Sequence, residues 1–482
     1  MATALLSKIS RITNHSFKVL SAIKNVLNCR TGLLYPGKTS NLVHTVEVER
    51  VTAGNMVPII EREAEDTGFL WLSRAHQVTA PNVRLIDLVR LDERVEAHVD
   101  ALRIGGSRGW SLALTLLASG SAGAFFSAGV LCVESGDRAA FERIVEHGYE
   151  AARQAEAPPP GPAYNPWSGM VSALAWVDGS HAARVIDWLL QAAQPRLRWL
   201  AIAACGARRG MREGVLERAL ADADPLVRAR AYRTIGELGH ADVIAQIAPG
   251  FRDDDPECRF WSAWAAARMG AAEPLDVMAE IAWQGGPRAE RALDLLLRRL
   301  DMAPANARLR EFAQLPDRQR SQIRATGVIG DPIYIPWLIE RMSELPTARL
   351  AGEAFSMITG VDLAYRDLDV RPPADFQSGP NDDLEDENVA LDEDDRLPWP
   401  DPVKVGEWWT KNKGRFSSGT AYFLGQPKAS ADWLGALSDA FQRQRRAAAL
   451  ELAIRQPNRA MFEVRARGRL QRQLIVRARG EI

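Results

Sequence analysis

Proline returns along the middle of this chain at positions 195, 225, 256, 287, 316 and 346, at intervals of 30, 31, 31, 29 and 30 residues. A proline ring fits the first position of a helix, where the missing N–H would be unpaired anyway and the fixed φ suits the turn. Asp224–Pro225 and Asp255–Pro256 add a side-chain oxygen at the preceding N-cap position. Apolar residues follow at helical spacing: Val227, Ala231, Ile235 and Leu238 in one unit, Trp199, Ile202, Ala203 and Cys205 in the one before, and Phe260, Ala263, Trp264 and Ala267 in the next. A second set of helical segments lies between them, at 181–193, 212–223, 273–283 and 335–342. Two helices of about three turns with two short turns fill about 30 residues. A fixed period of that size, with one helix pair per unit, predicts an all-α fold, a right-handed α-solenoid of short helix pairs.

The stretch "DPLVRARAYRTIGELG" (224–239) resembles the HEAT-repeat pattern of the short phycobilin-lyase type. Asp224, Pro225, Val227, Arg228, Ala231, Ile235 and Gly236 carry the match. Pro-x-x-Arg recurs at Pro195/Arg198, Pro256/Arg259 and Pro346/Arg349, and is lost at Pro287 and Pro316. The resemblance implies that the Asp and Arg of this motif hydrogen-bond between neighbouring repeats, a structural role. It is strong over 166–360 and degenerate over 107–165. The wider layout is similar to an uncharacterised proteobacterial HEAT-repeat family, through "EAEDTGFLWL" (63–72), "LDERVEAHVDALR" (91–103) and the acidic, Pro- and Trp-rich region at 379–409. Members have no assigned activity, and some lie near type VI secretion genes.

Five regions follow. Residues 1–55 read as an atypical N-terminal extension: basic, free of acids before Glu47, and carrying four of the eight lysines. They fit either a targeting segment or sequence upstream of a start at Met56. Residues 56–106 read as an N-terminal helical cap, 107–360 as the repeats, 361–430 as an irregular acidic, Pro- and Trp-rich insertion, and 431–482 as a C-terminal helical cap. The uncharged stretch at 110–133 has the length of a membrane span, but "SGSAG" in its middle is turn-like, so it reads as two buried helices and no span.

A net charge of −1 gives no global attraction to nucleic acid or anionic lipid. The four cysteines lie far apart with no CxxC, which predicts no metal site. His98 and His147 read as single surface or interface residues. No GxSxG elbow, P-loop, GxGxxG or HExxH occurs. No catalytic residue and no cofactor is therefore expected. Residues 382–395 hold nine acids and no base, but lack the order of a calcium loop. Residues 443–479 hold eleven arginines, read as a polar face partly neutralised by those acids. The candidate partner-binding residues are Asp382, Asp383, Glu385, Asp386, Trp399, Trp408 and Trp409; the bland reading of the tryptophans is that they pin an irregular segment.

The leading functional reading is a non-catalytic scaffold or adaptor for a protein partner, with a contractile secretion apparatus as its suggested setting. The alternative is a nucleic-acid-binding HEAT-like protein resembling the alkylpurine DNA glycosylases, disfavoured because bases and acids are interspersed. A bilin-lyase-like role rests on the repeat subtype alone. A continuous arginine stripe across the repeats would favour nucleic acid, and a mixed apolar and polar groove would favour protein. The cytoplasm is the expected location.

Overall fold

A computed structural model describes residues 53–154, 165–212, 214–373, 376 and 392–480. The chain divides into two units, one formed by residues 1–72, 93–132 and 139–169 and the other by 73–92, 133–138 and 170–482. The helices run α1 (Ala53–Gln77), α2 (Leu85–Ile104), α3 (Gly106–Leu116), α4 (Ala122–Ser135), α5 (Arg138–Gln154) and α6 (Pro166–Trp176). They continue with α7 (Gly179–Leu189), α8 (Pro195–Arg208), α9 (Val215–Leu220), α10 (Pro225–Leu238), α11 (Ile244–Ile247), α12 (Pro256–Arg268) and α13 (Pro274–Gln284). Next come α14 (Ala289–Arg299), α15 (Met302–Phe312), α16 (Gln319–Ile329), α17 (Ile335–Arg341) and α18 (Ala348–Thr359).

In the first unit, the uncharged stretch breaks where its turn residues stand. Gly120 takes φ 65° between α3 and α4, the left-handed conformation that glycine reaches without a Cβ penalty. No described helix is long and apolar enough to cross a membrane. Gly123 on α4 lies against α1 so closely that a Cβ there would sit 2.2 Å from the Gly68 carbonyl oxygen. Trp71 stacks on Phe126 at 5.6 Å beside this contact. His98 is not a surface residue: it is buried and hydrogen-bonded through Nδ1 to the carboxylate of Glu63, also buried. His147 is exposed.

In the second unit, α8, α10, α12, α14, α16 and α18 pack in sequence, each on the next. This is the all-α, HEAT-like repeat array that the proline period demands. Val227, Ala231 and Ile235 are at most 1% exposed. A Cβ at Gly236 would lie 2.7 Å from the Trp264 ring, so glycine lets α12 approach α10. The second helices are less regular. Where a partner for α10 belongs, the short helix α11 stands between two 3-10 turns, Ala241–Val243 and Ala248–Arg252. Pro195, Pro225 and Pro256 begin their helices, whereas Pro287, Pro316 and Pro346 stand two or three residues ahead of theirs. Those later turns lack an Asp cap; Arg288 and Arg318 occupy the N-cap with no side-chain cap bond.

The Asp and Arg of the motif divide their work in a way that spacing did not show. Asp224 and Asp255 cap their own helices, accepting from Leu226 N at 2.9 Å and Cys258 N at 2.8 Å. The partners between repeats are Asp222 and Asp253, two residues earlier. Arg198 grips Asp222 with two bonds, 2.6 and 2.8 Å, while its other nitrogen bonds the carbonyls of Ala192 and Ala193. Arg228 repeats the arrangement with Asp253 at 3.2 Å and the carbonyls of Asp222 and Ala223. Arg259 holds the carbonyls of Asp253 and Asp254. The next unit has Gln284 where the acid would stand, so the ladder stops.

These bonds set a pH dependence. The Arg198 hydrogen bond holds the Asp222 carboxyl below its ordinary range. Burial pushes Asp253 up, but the Asp255 N–H and Arg228 outweigh it and hold it down. A carboxylate whose pKa falls on folding stabilises the fold above its unfolded pKa, and that stability is lost as pH falls through the folded value. Asp222→Asn and Asp253→Asn should each lower stability by about 1–3 kcal/mol at pH 7. The difference from wild type should shrink as pH drops below about 4 in urea titrations.

Candidate functional site

Beyond the repeats the chain turns back on them. Strand β1 (Asp369–Val370) pairs antiparallel with β2 (Trp399–Pro400), and α19 (Pro402–Asn412) follows, capped by Asp401. A hairpin of β3 (Tyr422–Phe423) and β4 (Gln426–Pro427) leads to α20 (Trp433–Asp439), α21 (Gln442–Arg455) and α22 (Gly468–Arg479). Residues 431–482 were expected to close one end of the array. Residues 422–463 are tied to successive repeats.

The ties are specific. Tyr422 N donates to the Gly330 carbonyl after α16, and Leu424 N to Met357 on α18. Arg298 on α14 meets Glu451 on α21 at 2.7 Å. Arg268 on α12 donates to the carbonyls of Pro457 and Arg459. Arg209 after α8 reaches the Met461 carbonyl at 2.7 Å and Glu463 at 2.9 Å, and Met461 N returns to the Glu237 carbonyl on α10. A linear repeat period carries no signal for such a return, because its contacts join residues far apart in sequence, 254 positions for Arg209 and Glu463.

Glu451 is the most heavily engaged of these groups. Burial pushes its carboxyl up, but Lys428 at 2.8 Å, Arg298 and Arg455 outweigh that and hold it down at about 2. Three cations around one buried acid make it hard to replace. Glu451→Gln should cost about 3–5 kcal/mol, since it leaves buried cations uncompensated. Chemical denaturation should read the loss, and hydrogen exchange should rise across residues 422–461.

The returning segments and the array enclose a cavity of about 700 Å³, within the range of about 300–1,000 Å³ typical of ligand sites. Its apolar wall includes Leu363, Leu397, Phe423 and Phe441. Its charged lining is lopsided: Glu353, Asp362, Asp369, Asp432 and Asp439 against Arg84 and Arg396. Both guanidiniums are engaged, Arg84 with Asp362 at 3.4 Å and Arg396 with Asp395 at 3.5 Å. Glu353 pairs with Arg443 at 2.8 Å, and burial raises its pKa. Asp432 caps α20 through Gly435 N. The Asp369 carboxylate has no bonded partner among the described residues. The lining therefore combines apolar residues with an excess of carboxylates. No stretch of sequence announced it, since its lining comes from 81–84, 352–369, 396–398 and 423–444.

Of the sequence-derived candidates, the three tryptophans do not line this cavity. Asp382, Asp383, Glu385 and Asp386 lie outside the described residues. Trp399 is buried, edge-on to Phe376 at 4.6 Å with the Arg349 guanidinium over its ring at 4.7 Å. Trp408 and Trp409 are half-buried against Phe355 and Phe416. All three pin the irregular segment to α18 and to itself. Arg349, in the last Pro-x-x-Arg, bonds Asp392 at 2.7 Å and the Asp394 carbonyl at 3.0 Å. The end of the acidic run is neutralised by the repeats and not by C-terminal side chains: Asp394 meets Arg320 at 2.8 Å and Glu393 meets Arg324 at 2.8 Å. Cys132, Cys205 and Cys258 are buried, and burial raises the Cys205 thiol to about 11 and Cys258 to about 12. Among the described residues no cluster of three or more His, Cys, Asp or Glu is placed to hold a metal.

Residues 212–296 match the family described as HEAT repeats. Among curated proteins none matches the chain. A crystal structure of an engineered protein is similar at 15% identity over 64% of this chain and 90% of that one, with a TM-score of 0.26, too low to carry an argument.

Proposed function

We propose that this HEAT-repeat chain is a non-catalytic adaptor that binds a protein partner through the cavity beside α18 and α20. The observation that carries the reading is the cavity's pairing of an apolar wall with an excess of carboxylates, a lining that suits a lysine or arginine flanked by apolar residues. HEAT repeats generally serve as interaction scaffolds, and the family match covers the centre of the array. A component of a contractile secretion apparatus is a candidate partner by resemblance alone.

The distribution of arginine weighs against the nucleic-acid alternative. Arg198, Arg228, Arg298, Arg320, Arg324 and Arg349 are paired with acids of this chain. A duplex-binding stripe needs such groups free to meet phosphates.

Affinity capture with wild-type chain and with an Asp369→Lys, Asp439→Lys variant, each with and without nuclease, tests the reading. One stoichiometric protein that survives nuclease and is lost from the variant is the expected result. Recovery of nucleic acid alone, falling steeply with salt, would overturn it.

A further inference from the structure

The cavity beside α18 and α20 is lined by two helix faces. Asp432, Gly435, Ala436, Asp439 and Ala440 come from α20 and its flanks. They stand at i, i+3, i+4, i+7 and i+8, which is one side of a helix. Asp432 and Asp439 are thus about two turns apart, about 10 Å along the axis. A carboxylate marks each end of this wall, and the lining residues between them are a glycine and an alanine. From α18 and its end come Glu353, Ser356 and Gly360, again at helical spacing.

The carboxylates differ in what they already hold. Glu353 has Arg443, and Asp362 has Arg84. Asp369, Asp432 and Asp439 pair with no cation among the described residues. Asp432 accepts from Gly435 N at 2.8 Å and Asp439 from the Ser438 hydroxyl at 2.9 Å, neutral donors that bring no compensating charge. Both side chains are exposed, and Asp369 is half-buried. Elsewhere in the same unit Asp222, Asp253, Glu237, Asp394 and Glu451 each have an arginine. Acids left open in an array so rich in arginine suit a cation brought from outside.

Volume bears on the form of the occupant. A residue in an extended chain takes about 160 Å³, given a rise of about 3.3 Å and packing distances of about 4.8 and 10 Å. The cavity of about 700 Å³ therefore holds about four such residues, enough chain to pass both Asp432 and Asp439. A helix about 10–12 Å across needs about 800 Å³ or more to cover the same distance. Two residues between two basic ones set them about 10 Å apart in an extended chain, the separation of the two carboxylates.

We propose, resting on the adaptor reading, that the partner enters this cavity as an extended segment with two basic residues separated by two others, at least one of them apolar. The basic side chains meet Asp432 and Asp439, and the apolar one lies against the wall that includes Phe423 and Phe441. A segment with one basic residue leaves one of the carboxylates without a cation.

Calorimetric titration of the full chain tests this with a capped heptapeptide carrying arginine at its second and fifth positions and leucine between them. The comparison peptides have glutamine for the first arginine, glutamine for the second, or an alanine-rich helical sequence with arginines seven apart. The parent peptide should bind one to one, and each single-arginine peptide about three- to fivefold more weakly. Asp432→Asn keeps a capping side chain and Asp439→Asn keeps an acceptor for Ser438, so both should melt near the wild-type temperature. Each should weaken the parent peptide about three- to fivefold, and the two together about tenfold. Each should also lose its effect against the peptide lacking one particular arginine, a pairing that a general loss of fold would not produce. Undiminished binding by the double variant D432N/D439N would overturn the proposal, as would equal affinity for the single-arginine peptides or tighter binding of the helical one. So would spermidine binding where the parent peptide does not. The adaptor reading fails separately, when affinity capture returns no stoichiometric protein.

Discussion

Two buried carboxylates, each surrounded by three cations, hold the second unit together. Glu237 on α10 meets Arg230, Arg233 and Arg209; Glu451 on α21 meets Arg298, Lys428 and Arg455. Both are at most 4% exposed, so neither charge could persist without its partners. Glu237 ties α8 to α10 within the array. Glu451 ties the array to the returning C-terminal helix. The cavity depends on the second of these, because it has a wall from residues beyond 420.

The ladder of Asp222 and Asp253 acts on a smaller scale and repeats. Each aspartate accepts from the arginine of the preceding repeat and from an N–H in its own turn, so one side chain sets both the spacing between helices and the entry into the next. Arg198 and Arg228 add bonds to the carbonyls of the loop before them, satisfying acceptors that stand between helices. The motif is therefore a device for stacking. The cavity arises where the periodic part meets the aperiodic part.

That division explains the fate of the acidic and tryptophan-rich segment. Its tryptophans, Asp392 and Asp394 turn inward because α16 and α18 present Arg320 and Arg349 to them, while Glu393 stays exposed and meets Arg324 at the surface. An acid run reads as a solvated face only when no cation waits nearby, and here the cations come from helices 45 to 74 residues away. The C-terminal arginines were candidates for that role, but among the described residues Arg443 pairs with Glu353 and Arg455 with Glu451, and Arg443 meets the acidic run at the Glu393 carbonyl.

The sequence by itself determined the repeats. Pro and Asp at a fixed period dictate where helices begin, and small residues such as Ala231 and Gly236 dictate how near the next helix comes; these are local effects, legible in any window of about 30 residues. It also placed the turn that splits the uncharged stretch. Only the tertiary structure decided that residues 422–463 are tied along the array, that Asp222 and Asp253 are the partners between repeats, and that His98 is buried on Glu63. Those outcomes rest on pairings between distant charged residues, and every arginine looks alike in sequence until the fold chooses its carboxylate.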